Sequence, residues 1–229
     1  MAKKAVKKAA VKVDKAEAAK RVKIILPILK KTYPQAKIAL NFETPLELLV
    51  ATILAAQCTD VRVNIVTKDL FKKYKSPQDW AKTDINQIES EIKSTGFYHN
   101  KARAIKASCE KIIEKFDGKV PGTMEELLEL PGVGRKTANV LLGNCFATPG
   151  IVCDTHVMRL SRRLALSENS NTPAKLEVDL NQIVPKKDWL FFSDLLIFHG
   201  RNICKAPKPK CPVCPIAKYC PAANNPALW

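Results

Sequence analysis

The stretch LPGVGRKTANVLL, from Leu130 to Leu142, decides the fold. A short turn carries Gly132 and Gly134, and a helical pattern begins directly after it at Arg135. Glycine at these positions permits backbone angles closed to other residues and lets the backbone approach a phosphate closely. Because a helix N-terminus follows, we predict an anion site within a helix–hairpin–helix that contacts a DNA backbone without reading its sequence. A plain turn between two helices is the alternative.

Lys136 falls in the first turn of the helix that follows the hairpin. Its simplest role is to bind a phosphate. A sharper hypothesis makes it a nucleophile, because a helix N-terminus and the neighbouring Arg135 both disfavour an ammonium and so favour the free amine. A free amine beside a bound DNA backbone could attack the sugar C1′ carbon, displace the base and form a Schiff base.

Asp154 could supply the carboxylate that such a reaction needs. It lies eighteen residues after Lys136, in IVCDTHVMRL, directly before a new helical pattern. A lone Asp at this place is most simply an N-cap. Because Lys136 lies upstream, we predict that Asp154 also has a catalytic role. His156 and His199 are predicted to be structural histidines.

The charge of the chain indicates a polyanionic partner. The 229 residues carry a net charge of +16, which suits nucleic acid first and an anionic membrane second; a basic protein without such a partner is the alternative. Residues 1–21 hold eight basic and two acidic side chains, and we predict a flexible basic arm or a solvated tail. No secretory signal is visible, and the apolar stretch 48–56 is too short to span a bilayer, so we expect an intracellular protein.

From about residue 16 the pattern is helical nearly throughout, and no alternating strand pattern appears. We therefore predict an all-α fold of roughly ten helices. Four helix starts carry recognisable N-terminal signals: capping boxes at Thr44 and Thr123, and Ser-Pro or Thr-Pro pairs at Ser76 and Thr172.

Four cysteines near the C-terminus predict a metal centre. Their C-x6-C-x2-C-x5-C spacing lies in a proline-rich segment that cannot form a long helix, and an intracellular location disfavours disulfides. Four thiolates suit Zn²⁺ or a [4Fe–4S] cluster about equally. The other four cysteines are scattered among apolar residues and are predicted to be core residues. The predicted ligands are Cys204, Cys211, Cys214 and Cys220.

The loop KAPKPK between the first two predicted ligands carries Lys205, Lys208 and Lys210. A loop held at both ends could present three lysines to phosphates with little entropy loss. We therefore predict that the centre is a scaffold for DNA contact and not a catalyst.

Over residues 22–220 these motifs resemble the endonuclease III family of bifunctional DNA glycosylases. LPGVGRKTAN resembles the family hairpin, and this resemblance places the catalytic lysine on Lys136. VCDTHVMRL resembles the family segment that carries the essential aspartate, which falls on Asp154. The cysteine spacing is the family's [4Fe–4S] pattern, so the resemblance selects iron–sulfur over zinc. LLVATILAAQCTD and TGFYHNKA resemble the segments that enter the DNA gap, which implies Gln57 and Phe97.

The resemblance implies a six-helix barrel over 39–149 that holds the hairpin, and a cluster domain built from 22–38 and 150–229. DNA would lie between them, with Lys136 facing Asp154. Two departures stand out: Phe97 takes a wedge position where an aliphatic residue is expected, and Cys153 sits beside the aspartate. A phenyl ring can still stack between bases.

The implied activity is base excision of oxidised pyrimidines from double-stranded DNA, followed by β-elimination at the abasic site, by a monomer without membrane contact. The expected location is the bacterial cytoplasm near the nucleoid, or the nucleus or mitochondrion of a eukaryote. Adenine glycosylases of the same superfamily lack the lysine, which disfavours that alternative. A pyrimidine-dimer glycosylase, a non-catalytic DNA-binding module with a structural metal, and an electron-transfer protein remain open.

Overall fold

The computed structural model describes residues 12–223 and residue 225. Over this range the chain forms eleven α-helices and short 3₁₀ turns without a strand, which confirms the predicted all-α class. It divides into two compact units. We call Ile38–Thr148 the hairpin unit, and the described residues of Met1–Lys37 with Pro149–Trp229 the cysteine unit. No helix in this part of the chain has the length and hydrophobicity that a membrane crossing requires.

The hairpin unit packs seven helices around one apolar core. Trp80 is fully buried and stacks on Tyr74 with 4.2 Å between ring centroids, so an aromatic pair fills one part of this core. The helices are α2 Pro45–Leu54, α3 Asp60–Lys73, α4 Pro77–Lys82, α5 Ile85–Ile92, α6 Tyr98–Lys115, α7 Met124–Leu128 and α8 Arg135–Cys145. The longest of these, α6, packs against α4, α5 and α2, while α8 packs against α2 and α7.

The predicted helix starts are largely confirmed. Thr44 and Ser76 each form a complete capping box, with a proline at the first helical position. The box predicted at Thr123 is half formed: its hydroxyl accepts from the Glu126 N–H at 3.3 Å and also donates to the Glu126 carboxylate at 2.7 Å. Thr172 precedes a helix but makes no side-chain cap bond.

The cysteine unit is built from segments on both sides of the hairpin unit. Its helices are α1 Lys15–Thr32, α9 Thr155–Arg163, α10 Pro173–Ile183 and α11 Trp189–Asn202. The apolar face of α1 packs against α10 and α11, and α9 packs against α11. Among the described residues after α11, regular structure is limited to two short 3₁₀ turns, Cys211–Val213 and Ala217–Tyr219, as the prolines predicted.

The predicted arm over residues 1–21 is too long at its C-terminal end. Asp14 caps α1 by accepting from the N–H groups of Ala16 and Glu17, and Ala18 is completely buried. Residues 15–21 are therefore part of a packed helix, because one apolar stripe is enough to hold them despite their charge. Residues 1–11 of the predicted arm lie outside the described residues.

Candidate functional site

The hairpin lies where the sequence predicted it, between α7 and α8. Gly132 has φ +78°, and a Cβ atom there would lie 2.8 Å from the Cβ of Ala104. Glycine is therefore required for conformation and for space. The Ser108 hydroxyl donates to Pro131 O at 2.7 Å and ties the turn to α6.

Gly134 corrects one expectation. Its φ of −105° is open to any residue, so its backbone angles do not require glycine. Apart from its two chain neighbours, no described residue lies within 4 Å of a Cβ built there, so packing does not require glycine either. Gly134 is the N-cap of α8 and offers no side chain to the first-turn N–H groups. N–H groups at a helix N-terminus that receive no side-chain cap suit an external anion.

Lys136 is the second residue of α8, as predicted, and its side chain is exposed. Within the described residues its amine has no hydrogen-bond or ion-pair partner. An amine without a partner is available to an external group. Arg135 is exposed beside it, so the start of α8 carries two cationic side chains next to the hairpin.

Gln57 and Phe97 lie at two exposed turns of the hairpin unit. Both have left-handed backbones, with φ of 53° and 50°, which costs about 1–3 kcal/mol for a residue other than glycine. The Phe97 side chain is 62% exposed, although phenyl rings are normally buried. A strained backbone carrying an exposed ring is typical of a functional position.

Sequence reasoning missed Lys101. This lysine is only 4% exposed, and its ammonium donates to Leu54 O and Thr95 O, each at 2.8 Å. Burial lowers its pKa below the ordinary lysine value, and the nearby Cys58 offsets part of that effect. A signal was present, because Lys101 falls on the apolar stripe of α6 with Ile105 and Ile112.

Asp154 is the N-cap of α9, which confirms its simplest interpretation. Its Oδ1 accepts from the N–H groups of His156 and Val157, both at 2.8 Å. Both bonds go to this one oxygen, so capping does not occupy Oδ2. Asp154 belongs to the cysteine unit and Lys136 to the hairpin unit.

The two histidines are held by the protein around them. His199 is buried, and its Nδ1 shares a 3.0 Å hydrogen bond with the Tyr33 hydroxyl. His156 Nδ1 lies 3.0 Å from an Arg159 nitrogen. These contacts match the predicted structural role.

The four predicted ligand cysteines line one pocket in the cysteine unit. Burial raises the pKa of the Cys214 thiol to about 11, and the other three sulfurs add to this effect through their negative charge. Arg163 donates to Cys204 Sγ at 3.1 Å and to Lys205 O at 2.8 Å, so a buried guanidinium holds the first ligand and the start of the lysine loop.

Four cysteines around one pocket supply sulfur donors that suit Zn²⁺ and an iron–sulfur cluster alike. Among the described residues, no group of three His, Cys, Asp or Glu side chains is arranged to hold one metal ion.

The remaining cysteines are core residues, as predicted. Burial raises the pKa of Cys109 and of Cys153 to about 12. Cys58 and Cys145 are half-buried against the core of the hairpin unit.

The lysine loop exposes all three of its lysines, at 205, 208 and 210. Arg163 holds Lys205 O and Ala206 O, and the Lys210 N–H donates to Ile203 O at 3.0 Å. A loop fixed at both ends thus presents a cationic surface, as the sequence predicted.

Residues 50–186 match the family described as HhH-GPD superfamily base excision DNA repair protein. An endonuclease III of Synechocystis sp. is 52% identical over 201 residues, which are 87% of this chain and 91% of the relative. An endonuclease III of Bacillus subtilis is 43% identical over 88% of this chain and 92% of its own.

Solved structures give the same result. A non-covalent endonuclease III–DNA complex matches with a TM-score of 0.87 at 41% identity, over 91% of this chain and 97% of that one. A trapped covalent intermediate of endonuclease III with DNA, an estranged-adenine complex, matches with the same TM-score and identity. A thermostable thymine-DNA glycosylase matches with a TM-score of 0.80 at 25% identity.

Proposed function

Since the chain belongs to the endonuclease III family within the HhH-GPD superfamily of base excision DNA repair proteins, we propose that it excises oxidised pyrimidines through a Lys136 Schiff base. The observation that carries this proposal is the exposed amine of Lys136 in the first turn of α8, which has no partner within the described part of the chain. The relative trapped as a covalent intermediate with DNA supports a covalent route.

The hairpin binds the DNA backbone next to the damaged nucleotide. The first-turn N–H groups of α8 receive no side-chain cap from Gly134, so they can donate to a phosphate oxygen. Arg135 and the loop lysines at 205, 208 and 210 add charge that is independent of base sequence.

Extrusion of the damaged nucleotide precedes the chemistry. The enzyme acts on a flipped-out base, and the place it leaves in the duplex must be filled. The exposed Phe97 ring stacks into that gap, and Gln57 offers its amide to the unpaired opposite base. Gln57 and Phe97 are two of the four non-glycine residues with positive φ in the hairpin unit, the others being Asp117 and Ala147.

Chemistry begins when the Lys136 nitrogen bonds to C1′ and the bond from C1′ to the base breaks. The base leaves with the bonding electron pair and takes up a proton, while the nitrogen loses one. The Asp154 carboxylate stabilises the positive charge that develops on the sugar and assists the proton transfer, with Oδ1 held by α9.

The sugar ring then opens: the bond from C1′ to the ring oxygen O4′ breaks, O4′ takes up a proton, and the nitrogen and C1′ form the Schiff base. This Schiff base makes the C2′ proton acidic. Loss of that proton breaks the bond from C3′ to its phosphate oxygen, which cuts the strand 3′ to the lesion. Borohydride would reduce the Schiff base to a permanent protein–DNA bond, which a denaturing gel resolves. We propose that the protein acts as a monomer in the compartment that holds its DNA, which in a bacterium is the cytoplasm.

Cys204, Cys211, Cys214 and Cys220 would hold a [4Fe–4S] cluster, which supplies a cross-link to a segment without regular structure. We expect about four iron atoms per chain, and loss of that iron in Cys211→Ser. Metal analysis with acid-labile sulfide checks this, with Cys145→Ser as a control that keeps the iron. One zinc per chain would contradict the cluster.

The two hairpin glycines should respond differently to alanine. Gly132→Ala is expected to cost about 1–3 kcal/mol of unfolding free energy, because of its positive φ and the clash with Ala104. Gly134→Ala should cost about 1 kcal/mol or less. It should nevertheless weaken DNA binding about tenfold, because its methyl group holds the phosphate away from the N–H donors. Thermal unfolding and fluorescence anisotropy measure the two effects; wild-type DNA affinity in Gly134→Ala would argue against this contact.

A further inference from the structure

One buried ammonium connects the two turns that carry Gln57 and Phe97. Lys101 Nζ donates to Leu54 O and to Thr95 O, each at 2.8 Å. Leu54 ends α2 three residues before Gln57, and Thr95 ends a 3₁₀ turn two residues before Phe97. The Lys101 N–H also donates to Phe97 O at 3.1 Å. Both strained turns are therefore fixed to one residue.

Local helix stability does not explain a lysine at this place. Lys101 lies in the first turn of α6, where a positive charge is unfavourable to the helix dipole. It is also 4% exposed, and a lysine is rarely buried unless partners compensate for its desolvation. The buried ammonium is stabilised by its two carbonyl partners, Leu54 O at the end of α2 and Thr95 O at the end of the 3₁₀ turn.

We propose that Lys101 is a positioning residue that holds Gln57 and Phe97 as one rigid pair, so that both enter the duplex together when a nucleotide is extruded. The inference rests on the proposed function, because it presumes that these two side chains fill the gap. Lys101 itself stays buried and does not touch DNA. Its loss should therefore slow reactions that require opening of a duplex and spare those that do not.

Lys106 offers a matched control. It lies on the same helix and also donates to two backbone carbonyls, those of Ala81 and Thr83 at the end of α4. Removing either ammonium deletes two bonds to backbone carbonyls of the hairpin unit, and removing that of Lys106 also deletes a 4.0 Å ion pair with Glu110. Only Lys101 acts on the turns with Gln57 and Phe97.

The experiment compares wild type, Lys101→Met and Lys106→Met. Strand cleavage is measured at one abasic site placed in a duplex and at the same site in a single strand, alongside thermal unfolding. We expect Lys101→Met to cleave the duplex at least tenfold more slowly and the single strand within twofold of wild type. Lys106→Met should keep the wild-type ratio of duplex to single-strand cleavage rates, even if its unfolding temperature falls as much as that of Lys101→Met.

Equal rates for the two variants on the duplex would overturn the positioning role. So would a Lys101→Met variant that loses both activities in parallel, since that marks general loss of structure. If wild type cleaves neither substrate, the proposed function fails and this inference with it. Should Lys101→Met not fold, Lys101→Gln, whose amide still donates to one carbonyl, is measured in the same way.

Discussion

Lys136→Gln is expected to abolish the borohydride-trapped protein–DNA band and to slow strand cleavage by at least about 10³-fold. The amide of glutamine is not nucleophilic, so no Schiff base can form. Because Lys136 is exposed and has no partner within the described residues, the unfolding temperature should not change. The assay uses a duplex with one thymine glycol, borohydride and a denaturing gel.

Lys68→Gln is the matched control for this substitution. Lys68 is an exposed lysine on α3 of the same unit, so the variant loses one positive charge without touching the hairpin. It should give the wild-type band. A band that persists in Lys136→Gln would assign the nucleophile to another amine. Base loss in wild type without a band or strand cleavage would indicate a glycosylase without lyase activity.

Asp154→Asn is expected to separate the two roles of this residue. Asparagine caps helices as well as aspartate, so Oδ1 can still accept from His156 and Val157 and stability should change little. The carboxylate charge is lost, and base excision should slow on the order of 10²–10⁴-fold. Single-turnover excision and thermal unfolding measure the two effects independently.

Asp154→Ala removes the cap as well. It should lose about 1 kcal/mol, which lowers the unfolding temperature by about 2–4 °C, on top of the same loss of rate. Asp14→Ala is its control, because Asp14 caps α1 of the same unit with one oxygen and two N–H donors. That variant should lose similar stability and keep its activity. If Asp154→Asn excised the base at the wild-type rate, Asp154 would serve only as a helix cap and not in catalysis.

Short-range signals made much of this molecule predictable from its sequence. The capping boxes at Thr44 and Ser76 and the cap at Asp154 depend on residues within one helical turn of each other. The first-turn position of Lys136 follows from the hairpin directly before it. Such features survive tertiary packing because the backbone N–H groups they satisfy belong to the same segment.

Features that depend on distant neighbours were not predictable. The Lys101 acceptor Leu54 O lies 47 residues away, and a backbone carbonyl carries no sequence signal. That the described residues leave the space beside Gly134 open, while they fill the space beside Gly132, is visible only in the three-dimensional structure. The error at the start of α1 has another cause: the Lys-rich composition outweighed a local cap signal, Asp14 followed three residues later by Glu17.

The assembly of the cysteine unit from segments on both sides of the hairpin unit sets an order of events during synthesis. Helix α1 precedes the hairpin unit in the chain, but its partners α10 and α11 follow that unit. The hairpin unit is continuous in sequence, and all its core residues are available once Thr148 has emerged. The nascent chain can therefore complete the hairpin unit, with Lys136, before the cysteine unit, with Asp154, which must wait until α10 and α11 have emerged.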